Sequence, residues 1–205
     1  VMAGTKEFQL HKCVLADRTR VLYELVRTEE EASSSSEKNT CIVILANVDE
    51  TVFEILIEFV YSGEQPKLND LDEETIKSIL LTANRFGVTE LKLYVESILV
   101  EKFLVPSKAA AFLLFADAYS CGFLKEQSMN AYITDSALFM NSDDDWKSLQ
   151  ESNKLLVELL VYATSDRKRY SSMAAADDGD GTIEDTNVFD VTSLRERLQK
   201  VNLDV

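Results

Sequence analysis

The stretch Phe8-Gln-Leu-His-Lys-Cys-Val-Leu-Ala-Asp-Arg-Thr-Arg-Val-Leu22 carries the strongest structural signal in this chain of 205 residues. Its start predicts a β-strand over Glu7 to Leu10, and the apolar positions that follow recur at helical spacing. Residues 7–26 are therefore predicted to form a strand that leads directly into a helix. The stretch contains no catalytic motif, so its pattern indicates packing and not chemistry.

A second stretch, Val52-Phe-Glu-Ile-Leu-Ile-Glu-Phe-Val-Tyr-Ser-Gly63, predicts a helix with one apolar face and a glycine at its end. Before it, Cys41 to Leu45 is a short β-branched run, which predicts a strand buried on both faces. Asn47 and Asp49 then predict a turn and a helix N-cap. Residues 27–39 contain no large apolar side chain, so we expect a flexible loop there.

Further along, the pattern is helical almost to the end of the chain. Gly87 and Gly122 are predicted to end two of these helices, and Pro106 suits the first turn of another. Leu80 to Lys92 resembles Leu113 to Lys125 at an offset of 33, which predicts two similar helical hairpins stacked in sequence. Two copies are too few for a solenoid. The residues predicted to be buried in these hairpins are Leu80, Ala83, Phe86, Leu91, Val95, Leu113, Ala116 and Leu124.

The order of these features is similar to that of the BTB/POZ family. The matching residues are Phe8, the His11-Lys12 pair, the helix start Val14-Leu-Ala16 and the later helix that ends Tyr61-Ser-Gly63. The resemblance implies an α+β fold, in which a BTB/POZ core with a small sheet flanked by α-helical hairpins is followed by an all-α helical extension. It also implies a protein-interaction module and not an enzyme.

Residues 109–163 are similar to the helical extension of speckle-type POZ proteins, through the pattern that begins at Ala109-Ala, then Trp146-Lys-Ser-Leu149 and Leu155-Leu-Val-Glu-Leu-Leu160. We expect the BTB/POZ domain to lack its usual N-terminal helix and first strand, and the chain to lack the MATH domain of those proteins. The segments expected are a BTB/POZ domain at 1–104, a 3-box/BACK-like extension at 105–165, an acidic flexible linker at 166–190 and a short C-terminal helix at 191–205.

The net charge of −15 argues against a nucleic acid partner, because an acidic surface repels phosphate groups. The run Arg167-Lys-Arg169 is interpreted as a solvated helix end. No stretch is apolar enough to cross a membrane, and the first residues lack the apolar core of a signal peptide. These features predict a cytoplasmic and/or nuclear protein.

Three cysteines, Cys13, Cys41 and Cys121, lie in apolar surroundings and are predicted to be reduced core residues. His11 is the only histidine and is interpreted as structural. Residues 176–187 imitate part of an EF-hand loop, but the first and last calcium ligands are replaced. We therefore expect no catalytic residues, no cofactor, no metal and no small-molecule substrate.

The resemblance implies an adaptor that binds a cullin scaffold protein and brings substrates to ubiquitin transfer. The alternative is a BTB module for self-association or scaffolding, for example in transcription-factor docking, without cullin binding. In the family, the residue at the position of Val14 lies on the dimer face beside the N-terminal helix. Since that helix is not expected, the resemblance predicts a monomer or a weak homodimer.

The cullin contact itself can be placed by the same resemblance. Related proteins insert a hydrophobic residue, two positions before a glutamate, from the loop after the second core helix into a pocket of the cullin. These positions are occupied here by Glu30 and Ala32, so a charge replaces the apolar anchor and binding through the pocket is expected to be weak. Leu25 and Val26 are alternative anchors. The segment from Lys108 to Lys125 is expected to supply a second contact.

Overall fold

The computed structural model describes residues 1–32, 43–68, 70–140 and 143–174. The chain divides into two units, Val1–Thr164 and Ser165–Val205. The elements and buried clusters that bear on function belong to the first unit. In the second unit the structure describes residues 165–174, which are helical.

A small sheet opens the fold. Strands β1 (Met2–Ala3) and β2 (Lys6–Glu7) pair antiparallel, while β3 (Ile44–Leu45) pairs with β1 in parallel, which gives the order β2-β1-β3. The strand predicted over Glu7 to Leu10 is therefore wrong in its extent, because pairing ends at Glu7 and residues 8–10 connect the sheet to the first helix. Two-residue strands such as β1 are too short to produce a periodic signal.

Two helices follow where the sequence predicts one. Helix α1 (Lys12–Arg18) and helix α2 (Arg20–Ala32) meet at Thr19, which is buried. The hydroxyl of Thr19 donates a hydrogen bond of 3.0 Å to the backbone oxygen of Phe86, which ties this break to the end of a distant helix.

The prediction of a flexible loop is wrong for residues 27–32, which continue helix α2. Residues 33–39 lie outside the described part of the chain. The helix continues because Arg27 pairs with Glu24 at 2.9 Å and with Glu31 at 3.6 Å, one turn to either side. Such pairs support a helix whose earlier turns are already packed, without any apolar residue in the last turn.

The strand predicted over Cys41 to Leu45 is buried on one face only. Ile44 is 75% exposed, whereas Val43 and Leu45 are buried. The prediction of burial on both faces is wrong here because successive side chains of a strand point to opposite faces of the sheet, and the face that carries Ile44 is open to solvent. Cys41 and Ile42 lie outside the described residues.

Helix α3 (Glu50–Ser62) has the predicted ends. Asp49 is its N-cap, and one carboxylate oxygen accepts hydrogen bonds from the backbone N–H groups of Thr51 and Val52, at 2.9 and 3.2 Å. Gly63 closes the helix in the left-handed region, with φ of 71°. The predicted apolar face is confirmed, since the buried residues are Val52, Phe53, Leu56, Phe59 and Val60.

The two stacked hairpins are also confirmed. Helices α4 (Glu73–Phe86) and α5 (Thr89–Phe103) form the first; after a 3-10 turn at Pro106–Lys108, helices α6 (Ala109–Ala118) and α7 (Gly122–Thr134) form the second. All eight residues that were predicted to be buried in these hairpins are buried.

One glycine was assigned the wrong role. Gly122 does not end a helix; it is the first residue of α7. The left-handed conformation at this turn is adopted by Ser120, with φ of 53°, just as Gly87 adopts it between α4 and α5 with φ of 70°. Ser120 and Gly87 are 33 positions apart, so the repeat is kept in the backbone although the residue type differs.

Three helices complete the first unit: α8 (Ser136–Met140), α9 (Asp143–Glu151) and α10 (Asn153–Ala174), of which the last continues into the second unit. A large buried cluster runs from Ala3 to Leu124 and includes residues of both hairpins. A smaller one joins α6 to α8, α9 and α10, through Leu113, Phe139, Leu149 and Leu159 among others. The fold is thus a small sheet with helical hairpins followed by an all-α extension, as predicted.

Candidate interaction surfaces

The start of α1 is fixed by contacts to α3. The backbone N–H of His11 donates a 2.7 Å hydrogen bond to the hydroxyl oxygen of Tyr61, and the Nδ1 atom of the ring lies 3.1 Å from the same oxygen. Val14, predicted on the dimer face, is half-buried and packs against the large cluster. Cys13, between them, is exposed, so the prediction that it belongs to the core is wrong; a helix start presents only part of its surface to the interior.

Glu30 lies on a helix and is paired, not free on a loop. Both of its carboxylate oxygens contact the Nζ atom of Lys12, at 2.6 and 2.7 Å, which ties the last turns of α2 to the start of α1. Val26 is buried and Leu25 is half-buried against the large cluster. Neither can serve as an anchor unless part of α2 unpacks. Ala32 is the last residue of the helix.

The two lysines predicted for the extension contact lie in separate ion pairs. Lys108 contacts a carboxylate oxygen of Glu73 on α4 at 2.9 Å. Lys125 contacts Asp117 at 2.7 Å and Glu158 on α10 at 2.5 Å. Burial lowers the pKa of Lys125, but the hydrogen bonds to Asp117 and Glu158 outweigh this and hold the pKa above its usual value. Lys108 is the more exposed of the two lysines.

The extension is held on the core by two residues of α5 that the sequence analysis did not single out. The Nζ atom of Lys92 donates to the backbone oxygens of Tyr119 and Ser120, at 2.9 and 2.8 Å, at the end of α6. One turn later, Glu96 accepts from the backbone N–H of Leu124 at 3.1 Å, in the first turn of α7. The sequence repeat could have drawn attention to Lys92, because Lys92 aligns with Lys125 of the second hairpin at the offset of 33.

The charges of Lys92 and Glu96 match the helix ends that they contact. The carboxyl end of a helix carries partial negative charge and the amino end partial positive charge. Helix α7 has no side-chain cap from its own N-cap residue, Cys121, so Glu96 supplies the missing acceptor. Burial raises the pKa of Glu96, and this effect outweighs the hydrogen bond from Leu124 and the nearby charge of Lys92.

Cys121 is a buried thiol beside this contact, as predicted for a core cysteine. Burial, with a further contribution from the charge of Glu96, raises the pKa of Cys121 to about 12. The thiol is therefore protonated at physiological pH and is a poor nucleophile. Cys41 and the acidic segment at 176–187 lie outside the described residues.

The described residues also bear on other classes of function. No group of three or more His, Cys, Asp or Glu side chains in that part of the chain could hold a metal ion. No helix there is long and apolar enough to cross a membrane.

Comparison with known proteins agrees with this architecture. The family model of the BTB/POZ domain matches residues 1–103, which cover the sheet and helices α1 to α5. The chain belongs to the BTB/POZ domain family. Domains of this family mediate protein–protein interactions, including dimerisation.

Curated relatives extend the match beyond that domain. The chain is 29% identical over 169 residues to TD and POZ domain-containing protein 4 of Mus musculus, which is 82% of this chain and 43% of the relative. It is 27% identical over 168 residues to TD and POZ domain-containing protein 3 of the same organism, which is 82% of this chain and 44% of the relative. The chain thus spans less than half the length of these relatives, and the aligned stretches are longer than the BTB/POZ domain alone.

Proposed function

We propose that this protein is a substrate adaptor that binds a cullin scaffold protein through its BTB/POZ domain and the helices that follow, as speckle-type POZ proteins do. The site of action would be the cytoplasm and/or the nucleus. Two findings support the proposal: the chain belongs to the BTB/POZ family, and its similarity to TD and POZ domain-containing proteins runs into the extension. The sequence motifs within residues 109–163, which resemble the extension of speckle-type proteins, are the reason for proposing a cullin as the partner.

The observation that carries the proposal is the attachment of the second hairpin to the core. Lys92 and Glu96 bind opposite ends of α6 and α7, and residues of both helices join the large buried cluster. Because the hairpin is fixed to α5, it presents the same surface in every molecule. A preorganised surface loses less entropy on binding than a mobile one.

The contact expected after α2 is weaker here than in related proteins. A cullin that received Glu30 in an apolar pocket would have to break its pair with Lys12 and desolvate the carboxylate, which costs several kcal/mol. A buried apolar anchor would instead contribute about 2 kcal/mol. We therefore expect the extension to carry more of the affinity, with a Kd on the order of micromolar.

Titration calorimetry of the full chain with a cullin N-terminal domain tests this. Glu30→Met should lower the Kd by about tenfold or more, since an apolar anchor replaces the charge. Glu31→Met, on the same exposed helix end, is the matched control and should change the Kd little. Lys108→Glu should weaken binding if the extension takes part. A complete lack of binding by both the wild type and Glu30→Met would rule out the cullin proposal.

Self-association is the second candidate. On α10, Val157, Leu160 and Val161 lie at positions i, i+3 and i+4, on one face, and are 58–59% exposed, so they form an exposed apolar patch. Sedimentation velocity of the wild type and of a Val157→Ser/Leu160→Ser variant would measure this. A concentration-dependent dimer that the double variant dissociates, with no cullin binding, would favour a scaffolding role.

A further inference from the structure

A cleft of about 240 Å³ lies where the end of α1, the end of α3 and the turn between α4 and α5 meet. Its base is formed by Phe59, Val60 and Val88, which are otherwise buried. Gly87 lines one side. Val21, 48% exposed, lies next to this glycine, with a methyl carbon 3.1 Å from where a Cβ atom would be. Phe59, Val60 and Val88 offer an apolar contact for one small side chain.

The charged rim of the cleft is mainly acidic. Asp17 and Glu90 line it together with Arg18, whose Nε atom is 3.7 Å from a carboxylate oxygen of Asp17. The Asp17 side chain is 81% exposed, so that pair leaves it open to a second cation. The whole chain carries a net charge of −15, which attracts basic partners and repels phosphate-rich ones.

The amino end of α5 adds a third feature. Thr89 and Glu90, its first two residues, line the cleft, and the N-cap residue Val88 has no side chain that can accept a hydrogen bond. The first N–H groups of a helix have no partner within the helix. A carbonyl oxygen from a bound chain can accept from them.

We infer that this cleft binds an extended peptide segment of a partner protein. A Leu or Val side chain would lie over Phe59 and Val88, and a neighbouring Lys or Arg would lie between Asp17 and Glu90. The peptide backbone would supply the acceptor for the amino end of α5. The residues assigned to the cullin contact do not line the cleft, so the two proposed sites use different residues.

The test uses the full chain labelled with ¹⁵N and four synthetic peptides. The peptides share the same flanking Gly-Ser residues and differ only in the central pair, which is Leu-Lys, Ser-Lys, Leu-Glu or Ser-Ser. Titration followed by amide chemical shifts should show the largest changes at Gly87 and Thr89, and the tightest binding for Leu-Lys. Ser-Lys and Leu-Glu should each bind more weakly. Since no cullin is present, the result does not depend on the proposed adaptor function.

Variants that reverse the charge of the acidic residues at the cleft test their contact with the basic residue of the peptide. Asp17→Lys and Glu90→Lys should each weaken Leu-Lys by about two- to five-fold, the range for exposed ion pairs, and should strengthen Leu-Glu. Glu126→Lys, an exposed charge reversal on α7, is the control and should leave the order of the peptides unchanged. The inference is wrong if Leu-Lys causes no shift at Gly87 and Thr89, or if the control variant changes binding as much as the rim variants.

Discussion

Lys92 and Glu96 show how much of this architecture depends on single residues. They lie one turn apart on α5 and contact opposite ends of two other helices. Neither contact is a salt bridge; each side chain neutralises backbone groups that the helix ends leave without partners. Glu96 is only 1% exposed, so its carboxylate gives up hydration to make this contact.

The buried carboxylate makes stability depend on pH in a definite direction. Because the folded-state pKa of Glu96 is raised, the folded protein binds a proton more readily than the unfolded chain. The destabilisation from Glu96 is absent below its unfolded pKa and grows as pH rises through the raised folded value. The other titratable groups next to the Glu96 carboxylate are Cys121, on the turn before α7, and Lys92, on α5.

We therefore predict that Glu96→Gln gains stability relative to the wild type as pH rises from the unfolded-state pKa of a glutamate, about 4, through the raised pKa of the folded state. The amide oxygen of glutamine can still accept from Leu124 without carrying a buried charge. Urea unfolding of both proteins at several pH values measures the difference. The exposed Glu126→Gln should show no such trend, and a constant difference for Glu96→Gln would contradict the prediction.

At the scale of elements, the two hairpins share a backbone design but differ in the turn residue. Gly87 and Ser120 both adopt the left-handed conformation, and in each hairpin a hydrogen bond of 2.9 or 2.8 Å follows, from Val88 to Ala83 and from Cys121 to Ala116. Glycine adopts this conformation without strain, whereas a residue with a Cβ atom does not. The second turn is thus strained where the first is not.

Substitution of the turn residues should have opposite effects. Gly87→Ala should lower the free energy of unfolding by about 1–2 kcal/mol, because the new Cβ is strained and lies 3.1 Å from Val21. Ser120→Gly should raise it by about 0.5 kcal/mol, the relief of strain less the added entropy of the unfolded chain. Thermal or urea unfolding measures both.

A helical serine provides the comparison for this pair. Ser148→Gly, within α9, should cost about 0.5–1 kcal/mol, because glycine is unfavourable inside a helix. If Ser120→Gly is as destabilising as Ser148→Gly, the turn of the second hairpin is not strained.

The helices could be predicted from the sequence because their apolar stripes are long. The stripe of α3 and the repeat at an offset of 33 each extend over several turns, so local exceptions do not hide the period. The end of α2 was missed because it is stabilised by ion pairs of Arg27, which carry no periodic signal. The sheet was mostly missed because two-residue strands are too short to produce a periodic signal, and β3 pairs with a strand about 40 residues earlier in the chain.

The candidate surfaces were less predictable for a related reason. Sequence resemblance located Glu30, but its partner Lys12 is on another helix and could be found only from the fold. The same is true of the cleft beside Gly87, which is assembled from the ends of several elements. Such sites depend on tertiary contacts, and a single sequence carries no direct signal for them.

At the scale of the whole molecule, the BTB/POZ domain and its extension share a core. The large buried cluster includes Phe112, Ala116, Cys121 and Leu124, which follow the last residue of the family match. Removing them would expose the faces of α4 and α5 that they cover. A surface in the extension that binds a partner is therefore directly linked to the stability of the core.

Truncation of the chain tests whether the BTB/POZ domain and its extension share one core. A chain that ends at Leu104 should lose several kcal/mol of stability, since each large apolar side chain that is removed from the core contributes about 1.5–3 kcal/mol. It should also bind a hydrophobic dye on the surface left by Phe112 and Leu124. A chain that ends at Thr164, the last residue of the first unit, is the control and should unfold in a single transition near that of the full protein. If the chain ending at Leu104 unfolds at the same urea concentration as this control, the two segments fold independently and the shared cluster contributes little to stability.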